Sequence, residues 1–147
     1  MPDDLKLFYQ WKNGQQQDSY EAFVNNSMFE SLHNALEGNK ELTRMIGYDF
    51  KIENWWNAHW IPIFSNGGGS YICYDLKGVF TKETGQIIEF WHDYDDRQVI
   101  SPDLSSFIAS LLWYYKTTPK KQFDEFFNIK DQLPVSQSFT VNQLLKK

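Results

Sequence analysis

The run from Trp55 to Asp75, WWNAHWIPIFSNGGGSYICYD, restricts the possible folds more than any other part of this chain. Two β-prone runs, Ile61-Pro62-Ile63-Phe64 and Tyr71-Ile72-Cys73-Tyr74, flank Ser65–Ser70, which holds three consecutive glycines. Glycine adopts positive φ at no steric cost, so the middle of the run predicts a tight turn between two strands. Pro62 cannot donate to a β-ladder, which predicts that its strand lies at a sheet edge. Trp55–Trp60 reads as either a turn of helix or an extended lead-in. Its three tryptophans cannot all face one way, so at least one enters the core.

The flanking segments supply helices and further strands. Pro2–Lys12 reads as a helix: Pro2 suits the first turn, Asp3 and Asp4 favour the positive end of the dipole, and Leu5, Phe8, Tyr9 and Lys12 share a face that is apolar apart from Lys12. Asn13-Gly14 ends it. Ser27 with Glu30 has the spacing of a capping box and predicts a second helix through Leu36, stopped by Gly38. Met28 and Leu32 belong to its core stripe, and Lys40–Ile46 reads as another short helix ended by Gly47. Beyond Asp75, Lys77–Thr81 extends the sheet, Glu83-Thr84-Gly85 turns it, and Gln86–His92 is the strongest strand. After the turn DYDDR, Gln98–Ile100 is the last strand. Ser101 and Pro102 then open a helix carrying Leu104, Phe107, Ile108, Leu111, Leu112 and Tyr115 at helical spacing. Helices, then antiparallel strands, then a helix give an α+β fold.

A chain of 147 residues reads as one domain with enough surface to bury a core without disulfide or metal. Aromatic residues make up 18% of it. Cys73 is the only cysteine, which excludes an internal disulfide and a thiolate zinc cluster. The formal charge of −5 argues against a nucleic-acid surface and permits a basic protein partner. The N-terminus MPDDLKLFYQ shows no secretory leader, and no apolar run is long enough to span a membrane, so a cytoplasmic location is expected. Residues 1–115 carry 16 acidic and 8 basic side chains, whereas 116–147 carry 3 and 6. The shift falls near Thr117-Thr118-Pro119 and divides the chain into a domain, residues 1–116, and a partly helical C-terminal extension packed on it, residues 117–147. Within the extension, Thr118–Phe127 reads as a helix.

Few constellations point to chemistry. Gly67–Gly69 lacks the following Lys-Ser/Thr and helix of a phosphate loop, so it reads as a turn. His92-Asp93-Tyr94-Asp95-Asp96 lacks the glycine and distal glutamate of a calcium loop, and Arg97 follows it directly. It reads instead as a solvated acidic turn, and beyond that as a contact patch for a basic protein. In that patch Trp91 and Tyr94 are the anchors, and Asp93, Asp95 and Asp96 steer association. His33 and His59 have no partner motif, and Cys73 in a β-run reads as a small buried side chain. No metal site, cofactor motif or catalytic set emerges. An aromatic sugar platform built on Trp55, Trp56 and Trp60 is a minor alternative.

Taken together, the pieces resemble the SUKH superfamily, the Smi/Knr-like cell-wall assembly regulators. Residues 2–14, PDDLKLFYQWKNG, are similar to the family's opening helix, with Pro2, Asn13 and Gly14 at its marked positions. Trp60 and Pro62 resemble its Trp-x-Pro strand, Gly68, Gly69 and Asp75 its hairpin, Gly85 its Gly-x-Val/Ile strand, and Phe107 its closing helix. Met1 stands where the family has leucine, and the helix that usually precedes this motif is absent, replaced or outside this chain. The resemblance implies an α+β domain with a central, mainly antiparallel sheet flanked by helices, and shared residues that are mostly structural. It also implies a non-enzymatic protein binder without cofactor. Bacterial members are largely immunity proteins that neutralise cognate toxins, often nucleases, of polymorphic toxin systems, and fungal members regulate glucan synthesis and wall assembly.

Overall fold

A computed structural model describes residues 1–14, 27–117 and 137–140. Its centre is a six-stranded antiparallel sheet in simple sequence order: β1 (Met28–Phe29), β2 (Trp60–Ser65), β3 (Tyr71–Asp75), β4 (Gln86–Phe90), β5 (Asp96–Ser101) and β6 (Gln137–Thr140). The helices are α1 (Asp3–Trp11), α2 (Leu32–Arg44) and α3 (Leu104–Thr117). The fold is α+β, with the antiparallel sheet between helices and loops.

Alternation along the strands makes two cores. On one face Ile63, Ile72, Tyr74, Ile87 and Ile100 meet Leu5, Phe8 and Tyr9 of α1, Ala35 of α2, and Leu104, Phe107 and Leu111 of α3. On the other, Trp60, Cys73, Ile88, Phe90 and Val99 meet Leu42 of α2 and Trp56, with Met45, Phe50, Trp55, Val79, Phe80 and Phe139 around them. The second face is covered mostly by irregular chain, residues 48–59 and 76–85.

The expected second helix is corrected. Met28 and Phe29 pair with Ser65 and Phe64, and α2 begins only after Ser31, whose Oγ accepts the Asn34 N–H at 3.1 Å. The Ser27/Glu30 spacing is overridden by tertiary packing: the Phe29 ring lies 4.8 Å from Phe8, 5.7 Å from Tyr9 and 5.4 Å from Phe64. Nor does Gly38 end a helix. It sits inside α2, where a Cβ would stand 3.4 Å from Pro62 Cγ, so its missing side chain lets helix and strand approach. The separate Lys40–Ile46 helix is the second half of α2.

Pro62 lies on an interior strand, between β1 and β3, not on an edge strand. The exclusion of proline still acts locally. β1 reaches only Phe64 and Ser65, and β2 is irregular between Pro62 and Phe64. Before Pro62 a side chain replaces the missing strand: Asn39 Nδ2 donates to the Trp60 and Ala58 carbonyls, each at 2.8 Å.

Lys77–Thr81 does not extend the sheet. The Asp75 carboxylate accepts the N–H groups of Lys77, Gly78 and Val79 at 3.1, 2.9 and 2.9 Å and folds the segment into a turn. Gln98–Ile100 lies within β5 but is not the last strand, because β6 pairs with β5 beyond it. The cap of α3 is Asp103, whose Oδ1 accepts the Ser106 N–H at 2.7 Å; Ser101 belongs to β5. The helix expected over Thr118–Phe127 lies outside the described residues.

Candidate partner-binding surface

The positions singled out by the family resemblance occupy the frame. Pro2 precedes α1 in extended conformation, and Asn13 Oδ1 accepts the Leu32 N–H at 2.8 Å, tying the end of α1 to the start of α2. Gly14 has φ 82°, and a Cβ there would lie 2.6 Å from Ser31 N. Trp60 and Phe107 are fully buried. Gly68 N–H donates to Asn66 Oδ1 at 2.7 Å, closing the glycine turn. Gly69, at φ 96°, packs against the His92 ring. Gly85, at φ 86°, faces the Tyr74 hydroxyl. Asp75 is buried in its turn.

The acidic turn lies between β4 and β5 and is built on a residue that the sequence reading passed over. Arg97 is fully buried on the loop-covered face. Its guanidinium donates to the Trp55 carbonyl through Nε at 3.2 Å and Nη2 at 2.8 Å. Through Nη1 it donates to the carbonyls of Tyr94 at 2.7 Å, Asp96 at 2.9 Å and Trp91 at 3.4 Å. Its carbon stands 4.8 Å from the Trp55 ring centroid and 4.4 Å from that of Phe90, within cation–π range. Burial lowers the guanidinium pKa from 12.5 to about 10, opposed by Cys73, Asp96 and Asp95, so it is charged at neutral pH. A buried cation is tolerated only where its donors are used, and here they are used on backbone carbonyls of two separate loops. The signal in the sequence was strand alternation: Arg97 has the parity of Val99, which points into the same core.

With its backbone held from inside, the turn presents its side chains outward. Tyr94 is 59% exposed and Asp93 is exposed, while Trp91, Asp95 and Asp96 are half-buried. The Trp91 and Tyr94 rings meet edge-on, 6.5 Å apart. Four residues of the expected patch, Trp91, Asp93, Tyr94 and Asp95, therefore lie on the turn, and the fifth, Asp96, is the first residue of β5. Trp55 and Trp56 do not form a sugar platform with Trp60: Trp56 and Trp60 are buried edge-to-face at 5.5 Å, and Trp55 packs on Arg97.

A second link joins this turn to the glycine turn. His92 Nδ1 lies 3.0 Å from Ser70 Oγ, His92 Nε2 lies 3.0 Å from Asp93 Oδ1, and the His92 backbone N–H donates to Ser70 Oγ at 3.3 Å. Serine, histidine and aspartate are the residue types of a hydrolytic triad, but Ser70 is only 4% exposed and its oxygen already accepts that backbone N–H. The cavity beside it has a volume of about 10 Å³, space for one water and for no substrate. The set serves to join two turns. Cys73 is fully buried, and burial pushes its thiol well above the usual range, the opposite of what a nucleophile needs. Among the described residues no group of three or more His, Cys, Asp or Glu side chains is placed to hold a metal ion, and no helix is long and apolar enough to cross a membrane.

A search of curated proteins finds no match to the chain. A family model, described as the SMI1 / KNR4 family (SUKH-1), matches residues 1–110, which takes in α1 through the first half of α3. The chain belongs to the SMI1 / KNR4 family (SUKH-1).

Proposed function

We propose that this protein is a non-enzymatic protein-binding module, an immunity protein that neutralises a cognate toxin in the cytoplasm through the turn carrying Trp91, Asp93, Tyr94, Asp95 and Asp96. Residues 1–116 are the binding domain, and residues 117–147 extend it. The observation that carries the reading is the Arg97 clamp. A surface turn held by a buried guanidinium loses little conformational freedom when it binds, and two aromatic anchors beside three carboxylates suit a basic partner. Toxins that degrade nucleic acid offer such a surface, and carboxylates in place of phosphates raise the rate of encounter. No cofactor, nucleic acid or membrane is required.

The test is co-expression with the toxin-like product of the neighbouring gene. Protection of the cells and a stable complex of the two purified proteins are expected. A neighbour without toxicity, or a toxin neither bound nor neutralised, would refute the immunity reading. Recovery of wall-synthesis proteins in its place would move the function to wall assembly.

A further inference from the structure

The clamped turn is too small to hold a protein partner alone. A specific interface takes about 800 Å² and roughly 20–30 residues from each side, whereas the connection between β4 and β5 offers only residues 91–95. A partner seated on it must also touch what lies beside it. One neighbour is the glycine turn, joined through Ser70 and His92, but Gly67, Gly68 and Gly69 have no side chain with which to anchor anything. The other neighbour is the segment 46–55, and Arg97 fixes its place. A single guanidinium donates to the Trp55 carbonyl and to the carbonyls of Trp91, Tyr94 and Asp96, so the two stretches of backbone stand one guanidinium apart. Phe50 fastens the same segment to the end of β4, with its ring 6.3 Å from that of Phe90.

We infer, resting on the immunity reading, that the toxin-binding surface continues from the clamped turn onto Tyr48–Trp55, with Tyr48 as a further aromatic anchor and Asp49 and Glu53 as further carboxylates facing the basic toxin. Tyr48 is 77% exposed and belongs to neither core, so folding does not account for its ring. Its backbone is nevertheless held. The Tyr48 and Phe50 N–H groups both donate to the Met45 carbonyl, at 3.1 and 2.9 Å, and the Gly47 N–H donates to the Phe50 carbonyl at 2.8 Å. Gly47, at φ 88°, makes that turn possible at the end of α2. A tyrosine on a fixed turn has only two side-chain torsions to order, so its contact area is gained at little entropic cost. The charge agrees with the same occupant. Asp49 and Glu53 are exposed, and with Asp93, Asp95 and Asp96 they outnumber Lys51 and the buried Arg97. The two segments together thus present aromatic anchors inside a net negative field, which suits the partner that the turn alone was proposed to meet.

Binding kinetics of the full chain with the toxin-like product of the neighbouring gene test this. Tyr48→Ala is expected to raise the dissociation constant at least about tenfold, mainly by faster dissociation, while the thermal midpoint stays as in the parent. Asp49→Asn with Glu53→Gln is expected to slow association roughly 2–10-fold at low ionic strength, with the gap closing as salt is added. In the complex, amide hydrogen exchange should slow over residues 46–55 together with 91–96. A stable complex whose rates are unchanged by Tyr48→Ala and by the charge exchange, or one that protects 91–96 and leaves 46–55 as in the free protein, overturns the extension and leaves the turn as the contact. If the parent forms no complex at all, the immunity reading falls, and this surface falls with it.

Discussion

The two faces of the sheet are held by different physics. On the helix-covered face, Ile63, Ile72, Ile87 and Ile100 meet apolar stripes from α1, α2 and α3, and packing that excludes water is sufficient. On the loop-covered face, residues 48–59 and 76–85 have no stripe to offer. Their hold is directional: Arg97 on the carbonyls of Trp55, Trp91, Tyr94 and Asp96, Asp75 on three consecutive N–H groups, and edge-to-face rings such as Trp56 on Phe90 at 5.3 Å. An apolar face tolerates exchange of similar side chains. A face held by a few directional bonds does not, so the turn bearing Trp91 to Asp96 depends on one residue beneath it.

The largest expected effect tests that difference. Arg97→Ala should cost about 3–5 kcal/mol in urea denaturation, since it strips several carbonyls of donors together with a cation stacked on two rings. Phe107→Ala on the opposite face should cost a similar amount, about 3–5 kcal/mol, as a cavity. The two should differ in hydrogen exchange. Arg97→Ala is expected to open residues 48–59 and 91–96 ahead of the rest, and Phe107→Ala to lower protection throughout. Arg97→Lys keeps the charge but not the planar fork, so it should recover only part of the loss. An Arg97→Ala variant within about 1 kcal/mol of the parent would end the distinction between the faces.

Next in size is Gly14→Ala, expected to cost about 1–3 kcal/mol, because φ there is 82° and the new Cβ meets the Ser31 backbone. The same measurement on Asn39→Ala should show a loss of about 1–2 kcal/mol, since the Trp60 and Ala58 carbonyls lose their donor.

Alkaline pH acts on both faces, since burial also raises the Tyr71 phenol above 10.0 on the loop-covered face. Burial, then the Asp4 hydrogen bond, raise the Tyr74 phenol above 10.0, and burial with the nearby Glu30 charge does the same for Tyr9. Both lie on the helix-covered face. A folded-state value above that of the unfolded chain means that the neutral phenol's contribution is complete below pH 10.0 and is lost as pH climbs toward the folded value. The thermal midpoint should therefore fall above that pH, and fall less steeply in Tyr74→Phe.

What could be read from the sequence follows the same division. α1 and the Leu104–Leu111 stripe of α3 obey helical periodicity, and β3 and β4 obey β-propensity and glycine punctuation, so the helix-covered core was visible in residue spacing. The second helix was misplaced because Ser27 and Glu30 mimic a cap, whereas the deciding contact, Phe29 among Phe8, Tyr9 and Phe64, spans distant parts of the chain. Pro62 was assigned to an edge strand because the substitute donor, Asn39, lies 21 residues away from Trp60. The acidic turn was visible as composition, yet its support was not: Arg97 read as the residue that spoils a calcium loop, although its inward parity with Val99 was available.

The most direct measurement of the proposed function is the association rate with the cognate toxin, for the parent and for a variant carrying Asp93→Asn, Asp95→Asn and Asp96→Asn. The thermal midpoint of the variant is measured beside the rate, because Asp95 and Asp96 are half-buried and their charges favour the buried Arg97 cation. If the clamped turn meets a basic toxin, the variant associates roughly 10–100-fold more slowly at low ionic strength, and the gap closes toward about 1 M salt. Equal rates for the two proteins, with the same salt dependence, would contradict the assignment and place toxin binding elsewhere on the molecule.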